Sequence, residues 1–379
     1  MKPKVIILGA GMVGKAMAID LAHKFDVSSA DIDQNALNFL KEKYAINTIV
    51  LDVSNKEELK KEIAPYDYVI SAVPGFLGFT TLETVIEAGK NVVDITFMPE
   101  NILLLNEKAE AHGVTAIVDC GVAPGIPNMI AGYYYNKMKI SDFSYMVGGL
   151  PKIRTFPFEY KAPFSPIDVI EEYTRPARFL QNGIIIEKPP LSDAELINFS
   201  QAGTLEAFNS DGLRSLLYTL PGIPNISEKT LRYPGHIKLI MALQKAGFFS
   251  PEAINVNGQS IRPVDVTNTI LFDAWKYEEG EEDFTVMKII VNGLNNDKKH
   301  TFIYELFDTY DVQSGLSSMA RTTGFTGTAA LNMMHDKLFE QKGVFPPELI
   351  GQQDECYNYI MDYLSARNVI YTKKETIED

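Results

Sequence analysis

The residues with the clearest chemical meaning stand at the start of the chain. Gly9-Ala10-Gly11-Met12-Val13-Gly14 fits G-x-G-x-x-G between an apolar run and an amphipathic segment. The first glycine permits a tight turn, the second lets backbone approach a pyrophosphate, and the third allows close helix–strand packing. The helix that follows offers unpaired N–H groups and a partial positive charge to phosphate. Asp31, ending the second apolar run about 20 residues on, suits a carboxylate that grips adenosine ribose hydroxyls and repels a 2′-phosphate, with Asp33 in reserve. No arginine stands beside Asp31, so NAD is expected over NADP. Asp52 with Val53, after the third run, is placed to reach the adenine edge, and Ala72-Val73-Pro74 to pass near the nicotinamide ribose.

Open α/β sheets bind ligands beyond the carboxyl ends of their strands. That rule puts Asp94, Thr96 and Asp119 beside a nicotinamide. Hydride transfer from a carbon–nitrogen centre needs the carbon–hydrogen bond held over the ring and an unprotonated amine to push electrons into the forming imine. A carboxylate near the ammonium can hold it and remove its proton, a task open to Asp119 or Asp94. The competing reading makes each acid a helix cap. The loop Ala123-Pro124-Gly125 precedes a helical stretch whose first N–H groups can bind a substrate carboxylate. Cys120 has no identifiable base nearby and reads as an inert thiol. Glu187-Lys188-Pro189 falls too late in the chain for the EKP motif of sugar oxidoreductases, and Tyr133-Tyr134-Tyr135 reads as packing.

These groups need elements to position them. Short apolar runs over 4–8, 26–30, 47–51, 68–71, 91–94 and 115–118 alternate with helical patterns over 12–23, 34–43, 56–63, 77–88 and 102–112. That rhythm predicts a Rossmann domain with a doubly wound parallel sheet. It stops after residue 121, where a helix over 128–137 is followed by irregularly spaced strands over 144–149, 184–187, 203–208, 228–232, 284–291 and 301–307. These predict a second α/β substrate domain on a mostly antiparallel sheet. A helix over 317–339 is expected to return the chain, giving a dinucleotide-binding domain of 1–122 with 317–379 and a substrate and dimerisation domain of 123–316. The polar residues 373–379 are expected to fray.

The 379 residues suffice for two cores. With 35 basic and 49 acidic residues the formal charge is −14, which disfavours nucleic acid and anionic membrane surfaces as partners. Two distant cysteines offer neither a disulfide framework nor, with the histidines, a metal-ligand spacing, so no metal is expected. The apolar start is too short for a signal peptide, and no run reaches the ~20 residues of a membrane span. A soluble, cytoplasmic protein is the expectation.

Several segments resemble the saccharopine dehydrogenase / L-lysine 6-dehydrogenase family. They are Pro74-Gly75-Phe76-Leu77-Gly78-Phe79, the run from Val93 to Glu100, Gly121-Val122-Ala123-Pro124-Gly125, and Val147-Gly148-Gly149-Leu150-Pro151. Further along lie Glu172-Tyr173-Thr174-Arg175-Pro176-Ala177, Ser210-Asp211-Gly212-Leu213-Arg214-Ser215, the run from Thr230 to His236, and Lys342-Gly343-Val344-Phe345-Pro346-Pro347-Glu348. The likeness is strongest to the lysine 6-dehydrogenase branch. It implies NAD(P) use, action on a basic amino acid, and a homodimer or higher homo-oligomer. It also brings Arg214 and Arg232 forward as carboxylate anchors and His236 as a proton relay. The fungal saccharopine reductases carry an arginine near Ser210-Asp211 that is missing here. Oxidative deamination of L-lysine at its ε-amine is therefore the first expectation. Saccharopine oxidation is the rival, since its three carboxylates call for several arginines. A non-catalytic NAD-binding sensor is the third reading.

Overall fold

The computed structural model describes residues 2–278 and 280–378. In chain order the first part runs β1 (Lys4–Leu8), α1 (Met12–Leu21), β2 (Asp26–Asp31), α2 (Gln34–Tyr44), β3 (Asn47–Val50) and α3 (Lys56–Ile63). It continues β4 (Tyr68–Ser71), α4 (Gly75–Glu87), β5 (Asn91–Asp94), a 3-10 turn at Ile102–Leu105, α5 (Asn106–Ala111) and β6 (Thr115–Ile117). Next come α6 (Ile126–Tyr135), β7 (Lys139–Pro151), α7 (Pro166–Thr174), β8 (Ala177–Gln181), β9 (Ile184–Lys188), β10 (Glu195–Phe199) and β11 (Gly203–Asn209). The chain goes on through α8 (Leu216–Thr219), β12 (Asn225–Arg232), α9 (His236–Lys245), a small hairpin of β13 (Ile254–Val256) and β14 (Gln259–Ile261), and α10 (Pro263–Ala274). It ends β15 (Asp283–Asn295), β16 (Lys298–Thr309), α11 (Ser318–His335), β17 (Gly343–Phe345), α12 (Pro347–Ile350), α13 (Asp354–Ser365) and β18 (Tyr371–Glu378).

Seven parallel strands form the first sheet in the order β17-β6-β5-β4-β1-β2-β3. Its central strands are apolar on both faces, and Val5, Ile6, Ile7 and Leu8 are fully buried. Such strands need helices on each side, which is why the sheet is parallel and doubly wound. The strand order reverses between β1 and β4, opening a crevice at their carboxyl ends. The second sheet runs β10-β11-β12-β7-β15-β16-β18, with β8 and β9 branching from β12. All its pairs are antiparallel except β12 with β7. The α/β class expected from the sequence is therefore the observed one.

Helix α11 joins the two sheets. Its Gly324 and Gly327 lie against Val13 and Met17 of α1. Its buried Thr322 and Thr326 hydroxyls donate to the carbonyls of Ser318 and Thr322 at 2.9 and 2.8 Å, which satisfies polar groups inside a helix that has almost no wet face. Asp283 on β15 accepts from the Ser318 and Met319 N–H groups at 2.7 and 3.0 Å, and Arg321 donates to Asp308 on β16 at 2.9 Å. On the other side, Asp20 of α1 receives Thr328, Tyr363 and Arg367 at 2.5, 2.7 and 2.7 Å.

The structure departs from expectation at the chain's end. Residues 373–379 were expected to fray, yet Tyr371–Glu378 pairs along β16 as the edge of the second sheet. Strand β17 pairs in the first sheet, β18 in the second, and α11 packs on both, so the described residues 317–378 are divided between the two rather than belonging to one domain; residue 379 lies outside the described residues. The helical pattern over 102–112 resolves into a 3-10 turn and a separate α5. Replacing Asp283 by Ala leaves two α11 amides without an acceptor. A loss of about 1–2 kcal/mol in unfolding free energy is expected, read by urea denaturation.

Candidate active site

The first half of the site is the glycine turn between β1 and α1. Gly9 has φ +110°, and a Cβ there would lie 2.5 Å from the Ala72 carbonyl oxygen. A Cβ on Gly14 would lie 2.0 Å from the Gly9 oxygen. At Gly11 a Cβ would meet no atom within 4 Å, so only an incoming group benefits from the missing side chain. Gly11 is the N-cap of α1, and no side chain caps that helix, leaving the N–H groups at Met12 and Val13 for phosphate. Asp31 accepts from Ala10 N–H at 2.6 Å and from Asp33 N–H at 2.9 Å, which fixes its carboxylate at the strand end with lone pairs to spare for ribose hydroxyls. These features fit a dinucleotide. Asp33 accepts from Asn35 and Ala36 N–H and so caps α2. Asp52 accepts from Ser54, whose hydrogen bonds hold it below the usual carboxylate range, and Val53 is buried beside it. Ala72, Val73 and Pro74 run from the end of β4 into α4, whose Gly75 N–H donates to Asp168 of the second domain at 3.2 Å.

Asp94 ends β5 and Asp119 follows the neighbouring β6, and burial pushes both up to about 7. Their surroundings differ. Asp94 accepts from the Thr96 N–H at 2.9 Å and the Thr96 hydroxyl at 3.1 Å, so its oxygens are engaged in holding the loop after β5. Asp119 accepts a hydrogen bond from none of the described residues and has φ +52°, a left-handed conformation that is strained for a residue with a side chain. Among nearby charges, the positive field of Arg214 opposes the effect of burial on it.

The second domain brings Arg214, in the loop between β11 and α8, to this point. The residue is 7 % exposed, and its guanidinium sits 3.9 Å from the Phe97 ring and leaves Nε and Nη2 without hydrogen-bond partners. Asp211 lies 3.8 Å from its Nη1 but is held by Arg178 through two bonds of 2.9 Å. Arg175 lies 5.6 Å from the same Phe97 ring and pairs with Glu171. Beside them a small cavity of about 30 Å³ is lined by Phe97, Tyr145, Glu172, Ser210, Asp211 and Glu228, among others. Glu228 is pushed up to about 8 by burial and accepts from Ser210 and from Gly212 N–H.

Two residues named from the sequence are committed elsewhere. Arg232 donates to Glu172 at 2.6 Å, to Tyr173 at 3.0 Å and to the Leu231 carbonyl at 2.9 Å, so it is engaged within the protein rather than free for a substrate carboxylate. His236 sits in the core among Tyr160, Tyr173 and Trp275, where burial lowers it to about 3. Its Nδ1 faces the Phe158 carbonyl at 2.9 Å and must donate, so Nε2 accepts from Tyr173 at 2.9 Å; a neutral ring so fixed is no proton relay at working pH. The loop before α6 also differs from expectation. Gly125 N–H donates to Asn128, and Pro124 accepts from Gly121 N–H, so that turn closes on itself instead of presenting the Gly125 amide. Thr96 is buried and bonded to Asp94 through its N–H and hydroxyl. Cys120 is fully buried and pushed up to about 12. Lys188 pairs with Asp193, and Tyr133 stacks on Tyr357. Among the described residues no group of three His, Cys, Asp or Glu could hold a metal ion, and no helix is long and apolar enough to cross a membrane. Glu172, Asp211 and Glu228 escaped the sequence reading of roles. The segments carrying Glu172 and Asp211 were visible, but only the fold brings them onto one cavity.

A glycine-turn Rossmann domain facing a carboxylate and an unpaired arginine defines a nicotinamide-dependent oxidoreductase. The chain belongs to the saccharopine dehydrogenase family: residues 5–117 match its "NADP binding domain" and residues 121–370 its "C-terminal domain". It is 24% identical to bovine mitochondrial alpha-aminoadipic semialdehyde synthase over 100% of this chain and 48% of that protein. It is 23% identical to saccharopine dehydrogenase [NADP(+), L-glutamate-forming] of Saccharomyces cerevisiae, with both chains fully covered. The chain thus spans about half the length of the bovine relative. The solved apo structure of the saccharopine dehydrogenase (L-Glu forming) from Saccharomyces cerevisiae superposes with a TM-score of 0.79 at 22% identity, covering 99% of this chain and 100% of that one, a likeness of fold.

The glycine turn makes separable predictions. Gly11→Val should fold with little change in melting temperature yet lose dinucleotide binding, measured by calorimetry. Gly14→Ala should lower stability itself, by roughly 1–3 kcal/mol of overpacking. The two aspartates separate likewise: Asp119→Asn should cut kcat by about 10²–10⁴-fold, whereas Asp94→Asn should act mainly on thermal stability.

Proposed function

We propose that this chain oxidises a carbon–nitrogen bond of a lysine-type amino acid, with L-lysine at its ε-amine as the leading substrate and NAD as hydride acceptor. The observation that carries the reading is Arg214, a buried guanidinium with unpaired donors beside an acid-lined cavity. An arginine with free donors suits one carboxylate, and buried acids suit an ammonium, which together describe an amino acid with a basic character. NAD is favoured over NADP because Asp31 ends β2 and Asp33 follows it, with no cation among residues 32–35.

In this reading a nicotinamide cofactor, held by the glycine turn and Asp31, would supply the acceptor for a hydride from the ε-carbon. Asp119 takes the proton from the ε-ammonium, freeing the lone pair that becomes the carbon–nitrogen double bond. Arg214 grips the substrate carboxylate and keeps Asp119 ionised at lower pH than burial alone would allow. Water then adds to the imine, releasing ammonia and the semialdehyde. Phe97, packed on Arg214, helps exclude water from the transfer.

Saccharopine is the second reading, and one observation favours it besides the names of the relatives. Arg175 also leaves Nη1 without a hydrogen-bond partner, and burial, with Arg214's like charge added, lowers it to about 10, so a second carboxylate would be welcome there. The deciding experiment follows NADH absorbance with NAD or NADP and L-lysine, saccharopine or neither. Turnover of L-lysine supports the leading reading, turnover of saccharopine alone supports the second, and tight NAD binding without turnover of either would leave a sensor.

The pH profile should follow Asp119. Its ionised form is the base, so kcat/KM is expected to rise through about pH 7 and level off above it. Arg214→Ala removes the field that favours ionisation; the rising limb should move to higher pH while KM for the amino acid rises about 10- to 100-fold.

A further inference from the structure

We propose, on the reading of the site as an amino-acid pocket, that Glu172 is the specificity residue that binds the substrate's α-ammonium. Glu172 lines the small cavity with Asp211 and Glu228. The other two acids are engaged: Asp211 is gripped by Arg178 through both oxygens, and Glu228 is held by Ser210 and the Gly212 amide. Glu172 gives only Oε2 to Arg232, at 2.6 Å, and no described residue donates to its Oε1. The cavity, about 30 Å³, has room for a water-sized group such as an ammonium.

The chain also fixes this carboxylate. Arg232 Nε donates to the Tyr173 hydroxyl at 3.0 Å, Tyr173 donates to His236 Nε2 at 2.9 Å, and His236 Nδ1 donates to the Phe158 carbonyl at 2.9 Å. Every donor in that line has one acceptor, so Arg232 has one orientation and Glu172 with it. The independent pointer to a ligand is Arg214, 93 % buried by its 7 % exposure, with Nε and Nη2 unpartnered and Nη1 3.8 Å from the cavity-lining Asp211. An unpaired cation at the edge of an acid-lined hole is the complement of a zwitterion: carboxylate to Arg214, α-ammonium to Glu172. The family segment around Glu172-Tyr173 thereby acquires a task, and so does the buried His236, as a positioning residue.

The test compares calorimetric binding of L-lysine and of 6-aminohexanoate, which lacks only the α-ammonium, to the full chain saturated with NADH. The natural sequence should bind L-lysine at least about tenfold more tightly, as expected for a charge-assisted hydrogen bond. Glu172→Gln should reduce that preference to within about threefold at an affinity for 6-aminohexanoate that is nearly unchanged, and Glu172→Asp, which keeps the charge, should restore part of it. Thermal melts identify a variant that has merely unfolded, in which case the ratio for the natural sequence decides. Equal binding of the two ligands to the natural sequence, or a preference that survives in Glu172→Gln, would overturn the assignment. A Glu172-dependent preference without NADH formation from L-lysine would instead remove the oxidation reading and keep the α-ammonium site.

Discussion

Charge taken out of water must be answered by charge or hydrogen bonds, and that constraint shapes the place where the two sheets meet. Asp94, Asp119, Glu172, Glu228, Arg214 and Arg232 are all withdrawn from solvent there. Most are answered within the protein. Asp94 has Thr96, Glu228 has Ser210, and Arg232 has Glu172 and Tyr173. Asp119 and Arg214 are left incompletely answered, as is Oε1 of Glu172, and Asp119 and Arg214 each influence the other's ionisation. An unsatisfied buried pair of opposite sign is costly as structure and useful as a receptor for a zwitterion or a reacting ammonium.

Holding such groups in place requires a scaffold that cannot relax around them. Asp119 is fixed by the end of β6, with the Cys120 amide bonded to the Asp94 carbonyl at 3.1 Å, so the two strand ends move together. Arg214 arrives from the far sheet, whose position is set by α11. That helix is tied to β15 by Asp283, to β16 by Arg321, and to α1 through Asp20. The distance from the glycine turn to the arginine therefore depends on this buried helix, whose small residues let it pack tightly on α1, together with the Gly75–Asp168 contact between the domains.

The first sheet was legible because its strands are short apolar runs between amphipathic helices, a pattern that needs no tertiary information. Strand β17 was not, since Gly343-Val344-Phe345 is too short to signal a strand and joins the sheet only through pairing with β6. The polar tail read as frayed because backbone pairing along β16, not burial of its side chains, makes it a strand. The glycine turn and Asp31 carry their meaning in spacing. Arg214 and Asp119 could be named from residue type and segment, but Arg232 and His236 carry the same types with other duties. Only their partners, Glu172 and Tyr173, distinguish a buried network from a substrate anchor. The choice between Asp94 and Asp119 turned on the Thr96 hydroxyl, a contact that no spacing rule supplies.

The central claim concerns which bond is broken, and isotope transfer reads that directly. The chain with NAD would be given L-lysine deuterated at the ε-carbon or at the α-carbon, and the NADH product analysed by mass. The account predicts deuterium in the reduced cofactor from the ε-labelled substrate and none from the α-labelled one. Deuterium arriving from the α-carbon would contradict it, because the reacting amine would then be the one assigned to Glu172 and the substrate would lie in the cleft the other way round.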